Sequence, residues 1–476
     1  METLQRTANR GSISTGYDID NSLKIEEDNA EHMTRTYSEA GVKTKGTISF
    51  WHKRSEIQSG IKRPVDCTDG SGENSSGIFI DGHRLCFDFG GGGRRSLRAN
   101  ALMRDTSAWY HLMATWDTSQ GTASNRAKIY INGEQVTDLH EATYPDENMA
   151  SQFFTNTGGA SQANKLFCQA TNTSNHPSGY FAEFNYVNNA QLTPSDFGEY
   201  DNSGIWKPKK YTGSYGDTGF YLDFADAADL GDDESGNGND WTEVNITAAD
   251  QATDTPTNNF CTLNPLSAGG NLGNVISEGA TKVVIENNGQ QVAVGTIAVT
   301  TGKWYWEAKH TSGTYQFAGI ISADSRVSGN GGVAGSSVAG SDAIALYRVD
   351  GKVFYNSDTG TSFDTDTYTN GDIIGVALDM DNGTCALYKN NSIMGNVSGT
   401  DIVARSGHAS LTGAWTAMYS DGTNGVFNIT YEVNFGGYTS FSISSAATDE
   451  NGYGTFEYAP PSGYYALCTK NLAEYG

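Results

Sequence analysis

The sequence predicts an all-β protein in which two jelly-roll-like β-sandwich domains are joined by a long polar linker. Composition is the first indication: glycine (57 residues), tyrosine (25) and phenylalanine (20) are plentiful in a chain of 476 residues, and these residues suit tight turns and pleated sheets. The second is that no long stretch has a clean 3.6-residue apolar period. The third is that apolar and polar residues alternate in many short runs between turn residues. A chain of this length is expected to form two to three domains.

The first sandwich is predicted to span residues 17–205, after a polar N-terminal arm of residues 1–16. Strand patterns occur at 47–54, 77–90, 109–117, 127–136 and 179–187. Within AKIYINGEQV, the alternation is interrupted only by Asn132-Gly133, a dipeptide that strongly indicates a hairpin turn. Asp81-Gly82, in IFIDGHRLCF, predicts a second hairpin of the same kind.

Residues 206–282 are predicted to form an extended acidic linker that contains one strand. The strand is FYLDF (220–224), and the segment 231–260 after it is polar and acidic with few apolar side chains. A segment of this composition buries little surface by itself, so we expect a linker or an extended arm lying on a neighbour.

The second sandwich is predicted to span residues 283–437, followed by a C-terminal tail, 438–476, with one strand at 463–471. Strand patterns of this domain occur at 281–287, 302–310, 317–322, 343–348, 352–357 and 427–436. The glycine-rich piece 328–341 is interpreted as a long loop. It opens no helix, so it does not indicate a phosphate-binding loop.

The stretch GDIIGVALDMDNGTCALYKNN (371–391) contains an acidic knot, 379–383, for which a calcium loop and a hairpin tip are the two interpretations. The calcium-loop template requires ligands at positions 1, 3, 5 and 12 and glycine at position 6. Counting from Asp379, position 5 is glycine, position 6 is threonine and position 12 is asparagine. The template fails, whereas alternating strands flank Asn382-Gly383, so the knot is interpreted as a hairpin turn.

Glu26, Asp28 and Glu31 have the ExDxxE spacing of the acidic triplet in a laminarinase-like group of jelly-roll glycosidases. In that triplet, alternate residues of one strand direct carboxylates at a sugar, and the intervening residues are apolar because the other face of the strand is buried. Here the intervening residues include glutamate and asparagine. The hexapeptide is therefore interpreted as a turn between strands.

The formal net charge is −25, from 30 basic and 55 acidic residues. This charge excludes nucleic acid and anionic membranes as expected partners, because both are negative. The start of the chain, METLQRTANRGS, lacks the apolar core of a secretory signal, and no run approaches the length of a membrane span. We therefore expect synthesis in a cytoplasm and no membrane insertion.

The six cysteines are dispersed, with no CxxC motif. This pattern excludes a zinc ribbon or a thioredoxin-like motif and defines no disulfide framework. Whether Cys67 and Cys86 pair across neighbouring strands stays open. Cys385 lies in an alternating strand and is expected to be a small buried apolar residue. The eight histidines are also dispersed, and neither GxSxG nor HExxH occurs.

Aromatic residues near predicted loop ends are the candidate ligand-binding residues, since sugar recognition uses flat rings with flanking polar groups. In the second domain these residues are Tyr355, Tyr368 and Trp415. The loops 323–341 and 356–370 are expected to present the binding surface, because loops on a rigid sandwich commonly do so.

Asp232, Asp233 and Asp240 are the candidate metal ligands. They lie in an oxygen-rich loop that also contains asparagines, and hard cations such as Ca²⁺ bind to such oxygen donors. The alternative is a solvated acidic loop. No cofactor is required, and Ca²⁺ is the cation that the loop would accept.

Three groups of phrases resemble known families. SFWHKRS, SAWYHLMATWDTSQGTASNRAKIYINGEQVTDL and GYFAEFNYVNNAQLTPSDFGEY resemble successive strands of a laminin-G/concanavalin-A-like lectin domain, over roughly 17–200. GKWYWEAKH, AGIIS and the 371–391 stretch followed by EVNFG resemble a SPRY domain, over roughly 283–437. WKPKKYTGSYGDTGFYLDF, SGNGNDWT, DTPTNNFCTLNPL and APPSGYYALCTKNL are similar to linking phrases of structural proteins from marine bacteriophages, which string lectin-like and SPRY-like modules together.

The resemblance implies a non-enzymatic phage virion surface protein, such as a tail fibre, spike or head fibre, that is assembled in the host cytoplasm and adheres to the host surface or its polysaccharide. It implies docking onto other virion proteins through residues 1–16 and a homo-oligomer, with a trimer favoured. It transfers no catalytic residues, because both modules are mostly binding folds. Two alternatives stay open: a polysaccharide depolymerase acting on the jelly-roll face, and a purely architectural capsid decoration or fibre spacer.

Overall fold

The structure of the protein is a computed structural model that describes residues 16–57, 59–70, 75–90, 95–156, 162–266, 274–285, 292–325, 342–355, 360–397, 399–421 and 429–476. The chain is mostly β, with 42% strand and 5% helix, and the predicted all-β fold class is confirmed. It divides into an N-terminal unit that ends at Thr257 and a C-terminal unit that begins at Asn258. The predicted arm lies outside the described residues except for Gly16.

The N-terminal unit contains two antiparallel sheets of eight strands each. The strands of sheet A are β1 (Ser22–Ile25), β3 (Lys45–Arg54), β8 (Trp109–Asp117), β9 (Ala127–Ile131), β10 (Glu134–Gln135), β13 (Gly179–Asn188), β16 (Phe220–Leu222) and β18 (Gln251–Ala252). Their order is β10-β9-β8-β3-β13-β1-β18, and β16 also pairs with β13.

Sheet B covers the other side of the same core. Its strands are β2 (His32–Arg35), β4 (Ile61–Thr68), β5 (Ser75–Asp81), β6 (Arg84–Phe89), β7 (Arg95–Ala99), β11 (Leu139–Ala142), β12 (Ala163–Leu166) and β17 (Thr242–Val244). Their order is β11-β7-β6-β5-β4-β12-β2-β17. A two-stranded sheet of β14 (Gly198–Tyr200) and β15 (Trp206–Pro208), a short helix α1 (Ala123–Arg126) and 3₁₀ turns at Pro194–Asp196 and Ala248–Asp250 complete the unit.

The alternation in the sequence places one face of each sheet in a shared core. Phe50 of β3 and Leu112 of β8 pack in the same buried cluster as Ile78 of β5 and Phe87 of β6. Burying apolar side chains between two sheets is the arrangement of a β-sandwich. The period-2 alternation that predicted the strands thus reflects the face of each strand that lies in this core.

The two predicted hairpins of this unit both form, with one difference in register. Asn132 and Gly133 have φ values of 50° and 82°, as a two-residue turn with two positive φ angles requires. In the second hairpin the turn residues are Gly82 and His83, with φ values of 54° and 71°, and Asp81 pairs with Arg84. The turn is thus one residue later than predicted.

The segment predicted to be a linker is, up to the boundary at residue 257, a packed part of the N-terminal unit. β16 pairs with β13, β17 extends sheet B and β18 extends sheet A, and Trp241 is buried in the sandwich core. Asp250 and Asp254 form ion pairs of 2.7 and 2.6 Å with the buried lysines Lys24 and Lys53. These acidic residues neutralise buried cations instead of being solvated, which composition cannot reveal.

The hexapeptide 26–31 forms the turn between β1 and β2, as interpreted from the sequence. Glu31 is buried: its Oε1 accepts a hydrogen bond from Lys24 Nζ (2.8 Å) and its Oε2 accepts one from the Glu26 amide (2.7 Å). Burial raises the pKa of Glu31, while Lys24 lowers it. The carboxylate of Glu31 therefore acts as a counterion of the buried Lys24.

The C-terminal unit also contains two sheets. The strands of sheet C are β19 (Asn274–Ser277), β20 (Lys282–Ile285), β22 (Lys303–Ser312), β27 (Ile373–Asp379), β28 (Thr384–Lys389), β29 (Ser392–Ile393), β31 (Ile429–Asn434) and β32 (Tyr465–Ala466). Those of sheet D are β21 (Val292–Val294), β23 (Gln316–Ser322), β24 (Ala343–Tyr347), β25 (Lys352–Phe354), β26 (Thr361–Ser362) and β30 (Trp415–Asp421). Their orders are β19-β20-β31-β22-β27-β28-β29, with β32 parallel to β22, and β21-β30-β23-β24-β25-β26.

The core of this unit lies between sheets C and D. Trp306 of β22 and Val376 of β27 belong to the same buried cluster as Ile320 of β23 and Ile344 of β24. Two short helices, α2 (Ile402–Ser406) and α3 (Thr469–Tyr475), flank the sheets. The strand predicted at 463–471 is reduced to β32, and α3 follows it. None of the helices in the described part of the chain has the length and apolar character needed to span a membrane.

The acidic knot of the 371–391 stretch is the tip of the β27–β28 hairpin, in which Asp379 pairs with Thr384. The carboxylate of Asp379 accepts hydrogen bonds from the Asn382 amide (2.9 Å) and side chain (2.8 Å) and forms an ion pair with Lys303 (3.0 Å). These donors lower the pKa of Asp379 even though burial opposes them. The hairpin interpretation is confirmed.

The six cysteines are buried free thiols. Cys67 lies on β4 and Cys86 on β6, and β5 separates the two strands. The two residues are therefore not on neighbouring strands and form no disulfide in this structure. Cys385 is fully buried in β28, as expected for a small apolar residue.

Glu307 fixes the C-terminal tail to sheet C. It is fully buried, and its Oε1 and Oε2 accept hydrogen bonds from the Tyr458 (2.8 Å) and Glu457 (2.9 Å) amides. Oε1 also accepts one from the Tyr305 hydroxyl and Oε2 one from the Asn434 side chain, both at 3.2 Å. Because every partner is a donor, both oxygens of this side chain must be acceptors.

We expect Glu307→Gln to destabilise the C-terminal unit by about 1–3 kcal/mol, because the new amide group would face backbone donors and leave at least one of them without an acceptor. Urea unfolding of the full chain measures the change. Glu432→Gln, on the same sheet, is the matched control. Equal stability of the Glu307→Gln variant and the unaltered chain would contradict this role for Glu307.

Candidate functional site

An additional segment of the chain covers the outer face of sheet A, opposite the sandwich core. Met113, Tyr130 and Val187 on that face pack against Phe197 in a buried cluster, and further side chains of residues 190–215 pack against it. The two-stranded sheet of β14 and β15 belongs to this covering segment. It places two aromatic side chains, Tyr200 and Trp206, opposite each other across the strand pair. We call residues 198–208 the aromatic hairpin.

The loop of the aromatic hairpin is fixed by Asp201. Its Oδ1 accepts hydrogen bonds from the amides of Ser203 (2.8 Å) and Ile205 (2.9 Å), and Gly204 has a φ of 78°. An aspartate that binds amides two and four residues ahead closes a tight turn. The turn holds the two aromatic residues in register.

Trp206 is anchored to sheet A. Its Nε1 donates a hydrogen bond to Nδ1 of His111 (3.1 Å), and Nε2 of His111 lies 2.8 Å from the Ser49 hydroxyl. Burial lowers the pKa of His111 to about 3, so the ring is neutral. The indole can only donate, hence Nδ1 accepts and Nε2 carries the proton. The Trp206 ring also covers Gly133, where a Cβ atom would lie 2.5 Å from it.

Tyr200 is the exposed member of the pair, with 47% of its surface accessible. Its ring centre lies 4.9 Å from that of Trp206, at an interplanar angle of 65°. Its hydroxyl donates to Oε1 of Glu134 (2.8 Å) and lies 3.2 Å from the Asn132 carbonyl oxygen. An exposed ring is thus held rigidly beside an exposed carboxylate, which combines an apolar surface with a hydrogen-bond acceptor.

A second cluster on sheet A consists of Glu183, Tyr17 and Tyr221. Glu183 lies at the irregularity in the pairing of β13 with β3, with a φ of 52°. Its Oε1 accepts hydrogen bonds from the hydroxyls of Tyr221 (2.6 Å) and Tyr17 (2.9 Å), which are 3.0 Å apart. Burial raises the pKa of Glu183 to about 7, although both phenols lower it. Burial also raises the pKa values of both tyrosines.

Two of the three aromatic residues predicted to bind a ligand are instead in the core of the C-terminal unit. Tyr368 is buried, and its hydroxyl lies 3.1 Å from that of Tyr431. Trp415 is fully buried, with its Nε1 donating to the Thr412 carbonyl (3.0 Å). Neither ring presents a face to a ligand. Both residues were selected because they lie near predicted loop ends in the sequence, and that position does not show that their side chains point into the sandwich.

Tyr355, the third predicted residue, is half-buried and packs edge-on against His408, with ring centres 4.6 Å apart. His408 in turn packs against Trp415 and lies 3.4 Å from the Asp342 carboxylate. The structure thus brings Tyr355 and Trp415 together through His408. The loops 323–341 and 356–370 were predicted to present the binding surface. Of these, residues 326–341 and 356–359 lie outside the described residues.

The three predicted metal ligands do not form a common site. Both oxygens of Asp233 accept backbone hydrogen bonds: one from the Tyr221 amide of β16 (2.9 Å) and one from the Asn239 amide of its own loop (2.8 Å). Asp240 accepts from the Asp233 amide (3.2 Å), and Asp232 is exposed. Within the described ranges, potential metal ligands converge elsewhere, at a buried group formed by His32, Cys168 and His176.

Comparison with protein-family models identifies two domains. Residues 15–190 match the family described as concanavalin A-like lectin/glucanases superfamily, and residues 303–400 match the SPRY domain. A lectin-like domain and a SPRY domain are therefore present in the chain. The aromatic hairpin follows the matched lectin-like region directly and lies outside it.

One solved structure with detectable similarity is the crystal structure of the SPRY domain of human HERC1. The two sequences are 14% identical, the match covers 36% of this chain and 96% of that chain, and the TM-score is 0.29. A search of curated proteins gave no match.

Sequence reasoning missed the aromatic hairpin. The phrase GEYDNSGIWKP has an aromatic residue on each side of an Asp-Asn-Ser-Gly turn, which is a hairpin signal. The prediction placed the domain end inside this phrase, so the hairpin was divided between a domain and a linker.

Glu183→Gln is expected to remove a pH-dependent loss of stability from the N-terminal unit. The folded-state pKa is raised from an ordinary 4.5 to about 7, so folding favours the protonated acid. The stabilisation is complete below pH 4.5 and is lost as pH rises through 7. The free energy of unfolding that is lost over this pH range is about 3 kcal/mol, from the linkage between protonation and folding.

Glutamine still accepts from both phenols but does not ionise. Denaturant unfolding of the full chain at pH 5 and pH 8 tests this expectation. The stability of the unaltered chain should fall more between the two pH values than that of the variant, and parallel pH profiles would contradict the assignment.

Proposed function

We propose that this protein is a non-enzymatic adhesion protein on the surface of a phage particle, and that the aromatic hairpin of its N-terminal unit binds a polysaccharide of the host. The exposed Tyr200 ring, held against Trp206 and hydrogen-bonded to Glu134, carries this proposal. Sugar rings have apolar faces that pack on aromatic rings and hydroxyl groups that bind carboxylates. The presence of a lectin-like domain in the same unit supports this ligand class.

The charge of the chain narrows the ligand to a neutral polysaccharide. The net charge is −25. Glu134 contacts the Tyr200 hydroxyl, and Tyr200 lies between Glu199 and Asp201 in the chain, with Lys207 paired to Glu199 at 3.8 Å. A polyanionic chain would be repelled both over long range and at the site. The acidic surface thus selects against sulfated or uronic acid-rich glycans.

A binding role is favoured over a depolymerase by the state of the buried carboxylates on sheet A. Glu183 accepts hydrogen bonds from two phenols, and Asp254 pairs with Lys53 and accepts from Trp109 Nε1 (3.0 Å). Carboxylates engaged in this way hold protein groups in place. A general acid and its partner must instead face the scissile bond.

The phage assignment rests on the linking phrases of the sequence. In this proposal, residues 1–16 dock onto other virion proteins, the particle is assembled in the host cytoplasm, and the chain forms a homo-oligomer, with a trimer favoured. Several copies on one particle would raise the avidity of weak glycan sites. The architectural alternative predicts no glycan binding.

Tyr200→Ala is expected to weaken binding of the full chain to neutral polysaccharide by about 5- to 150-fold, if a sugar on the Tyr200 ring is worth the about 1–3 kcal/mol of a base stacked on an aromatic side chain. Tyr200→Phe keeps the ring and should retain most of the affinity. A glycan array followed by isothermal titration, each with and without chelator, provides the measurement.

Ile393→Ala is the control for removing an exposed apolar side chain, because Ile393 is 53% exposed in the C-terminal unit. Glycan binding that survives Tyr200→Ala unchanged would exclude the aromatic hairpin as the site. Release of oligosaccharides would establish the depolymerase instead, and absence of both binding and cleavage would leave the architectural role.

A further inference from the structure

His32, Cys168 and His176 converge at one end of the N-terminal sandwich. His32 begins β2, Cys168 follows β12, and His176 precedes β13. β12 pairs with β2, with Leu166 opposite Met33, which brings Cys168 beside the start of β2. A ligand atom from each of the three side chains lies within 4.8 Å of the other two, and all three residues are buried.

The backbone fixes both histidine rings in the orientation that metal-binding histidines adopt. Nδ1 of His32 lies 2.9 Å from the Ala30 carbonyl oxygen, and Nδ1 of His176 lies 3.0 Å from that of Glu31. A carbonyl only accepts, so each Nδ1 carries the proton and each Nε2 keeps its lone pair. Such second-shell carbonyls set the tautomer of zinc-bound histidines. Nε2 of His176 also lies 3.4 Å from the Thr173 carbonyl oxygen, but a neutral ring carries only one proton, and the shorter contact with Glu31 assigns that proton to Nδ1.

Cys168 differs from the other cysteines in its surroundings. The chain has six buried thiols, and among the described residues this one alone belongs to a group with two histidines. Lys165 is the nearby cation, and Asp66, which accepts from the Ala170 amide (2.8 Å), is the nearby anion. Asp66 is itself paired with Arg63 (2.8 Å), whereas Lys165 favours the thiolate form of Cys168 that a metal ion binds.

We propose that Cys168, His32 and His176 bind a zinc-class divalent ion through one sulfur and two nitrogens, with a fourth position left for another ligand. One thiolate and two imidazoles suit Zn²⁺ and its analogue Co²⁺, whereas Ca²⁺ requires oxygen donors. This site is separate from the aspartates predicted to bind calcium. The ion would join β2 and β12 of sheet B to the start of β13 of sheet A, so it would stabilise the sandwich.

The test is a titration of the chelator-treated full chain with Co²⁺. We expect a thiolate-to-cobalt charge-transfer band that saturates at about one ion per chain and disappears when Zn²⁺ is added. Zinc should also raise the unfolding temperature by several degrees, since an ion that binds only the folded state stabilises it. Cobalt held by surface carboxylates gives no thiolate band, so a missing band overturns the proposal.

Variants assign the band to its ligands. Cys168→Ala should abolish the band, and Cys385→Ala, which removes a buried thiol from the C-terminal unit, should leave it unchanged. His176→Gln and His32→Gln should each weaken cobalt binding by more than about tenfold, because even loss of a second-shell partner costs about 10–100-fold. Circular dichroism verifies folding. A folded variant at any of these three positions with an unaltered band would overturn the assignment.

Discussion

Two buried lysines of sheet A determine how the N-terminal unit is assembled. Lys53 and Asp254 are almost completely inaccessible and form an ion pair of 2.6 Å, while Lys24 contacts both Glu31 and Asp250. Removing an ion from water costs several kcal/mol, so a buried lysine requires a partner in good geometry. The chain must therefore return to sheet A after residue 240. That return places β18 beside β1 and makes an acidic segment an internal part of the sandwich.

The outer face of the same sheet shows how the proposed binding group is held rigid. Ser49 and His111 form a buried polar pair, His111 accepts from Trp206, and Trp206 supports the ring of Tyr200. Each contact restricts the conformations of the next side chain. The conformational entropy of these side chains is therefore lost when the chain folds and not when a ligand binds. Only the last ring of this series is largely exposed. A preorganised surface of this kind is suited to ligand recognition, because few side chains must become ordered on binding.

Local patterns predicted the fold but not the partners of its polar residues. Alternation and turn dipeptides depend on adjacent residues, which is why most of the predicted strands and the β27–β28 hairpin are present in the structure. Asp250 and Asp254, which pair with Lys24 and Lys53, lie more than 200 residues away in the chain, outside any window. For the same reason the sequence could not show that Trp415 and Tyr368 point into the core, or that His32, Cys168 and His176 meet.

Several buried carboxylates are used to build the two sandwiches. Glu307 holds the C-terminal tail, Glu183 holds two tyrosines, and Asp379 closes a hairpin. The chain has a high negative charge, and the proposed binding site is a small exposed aromatic group, Tyr200. One such site contributes modest affinity, because a single exposed ring buries little area. In the proposed adhesion role, multiple copies would supply the remaining affinity, since linking weak sites raises avidity by about 10²–10⁴-fold without new contacts.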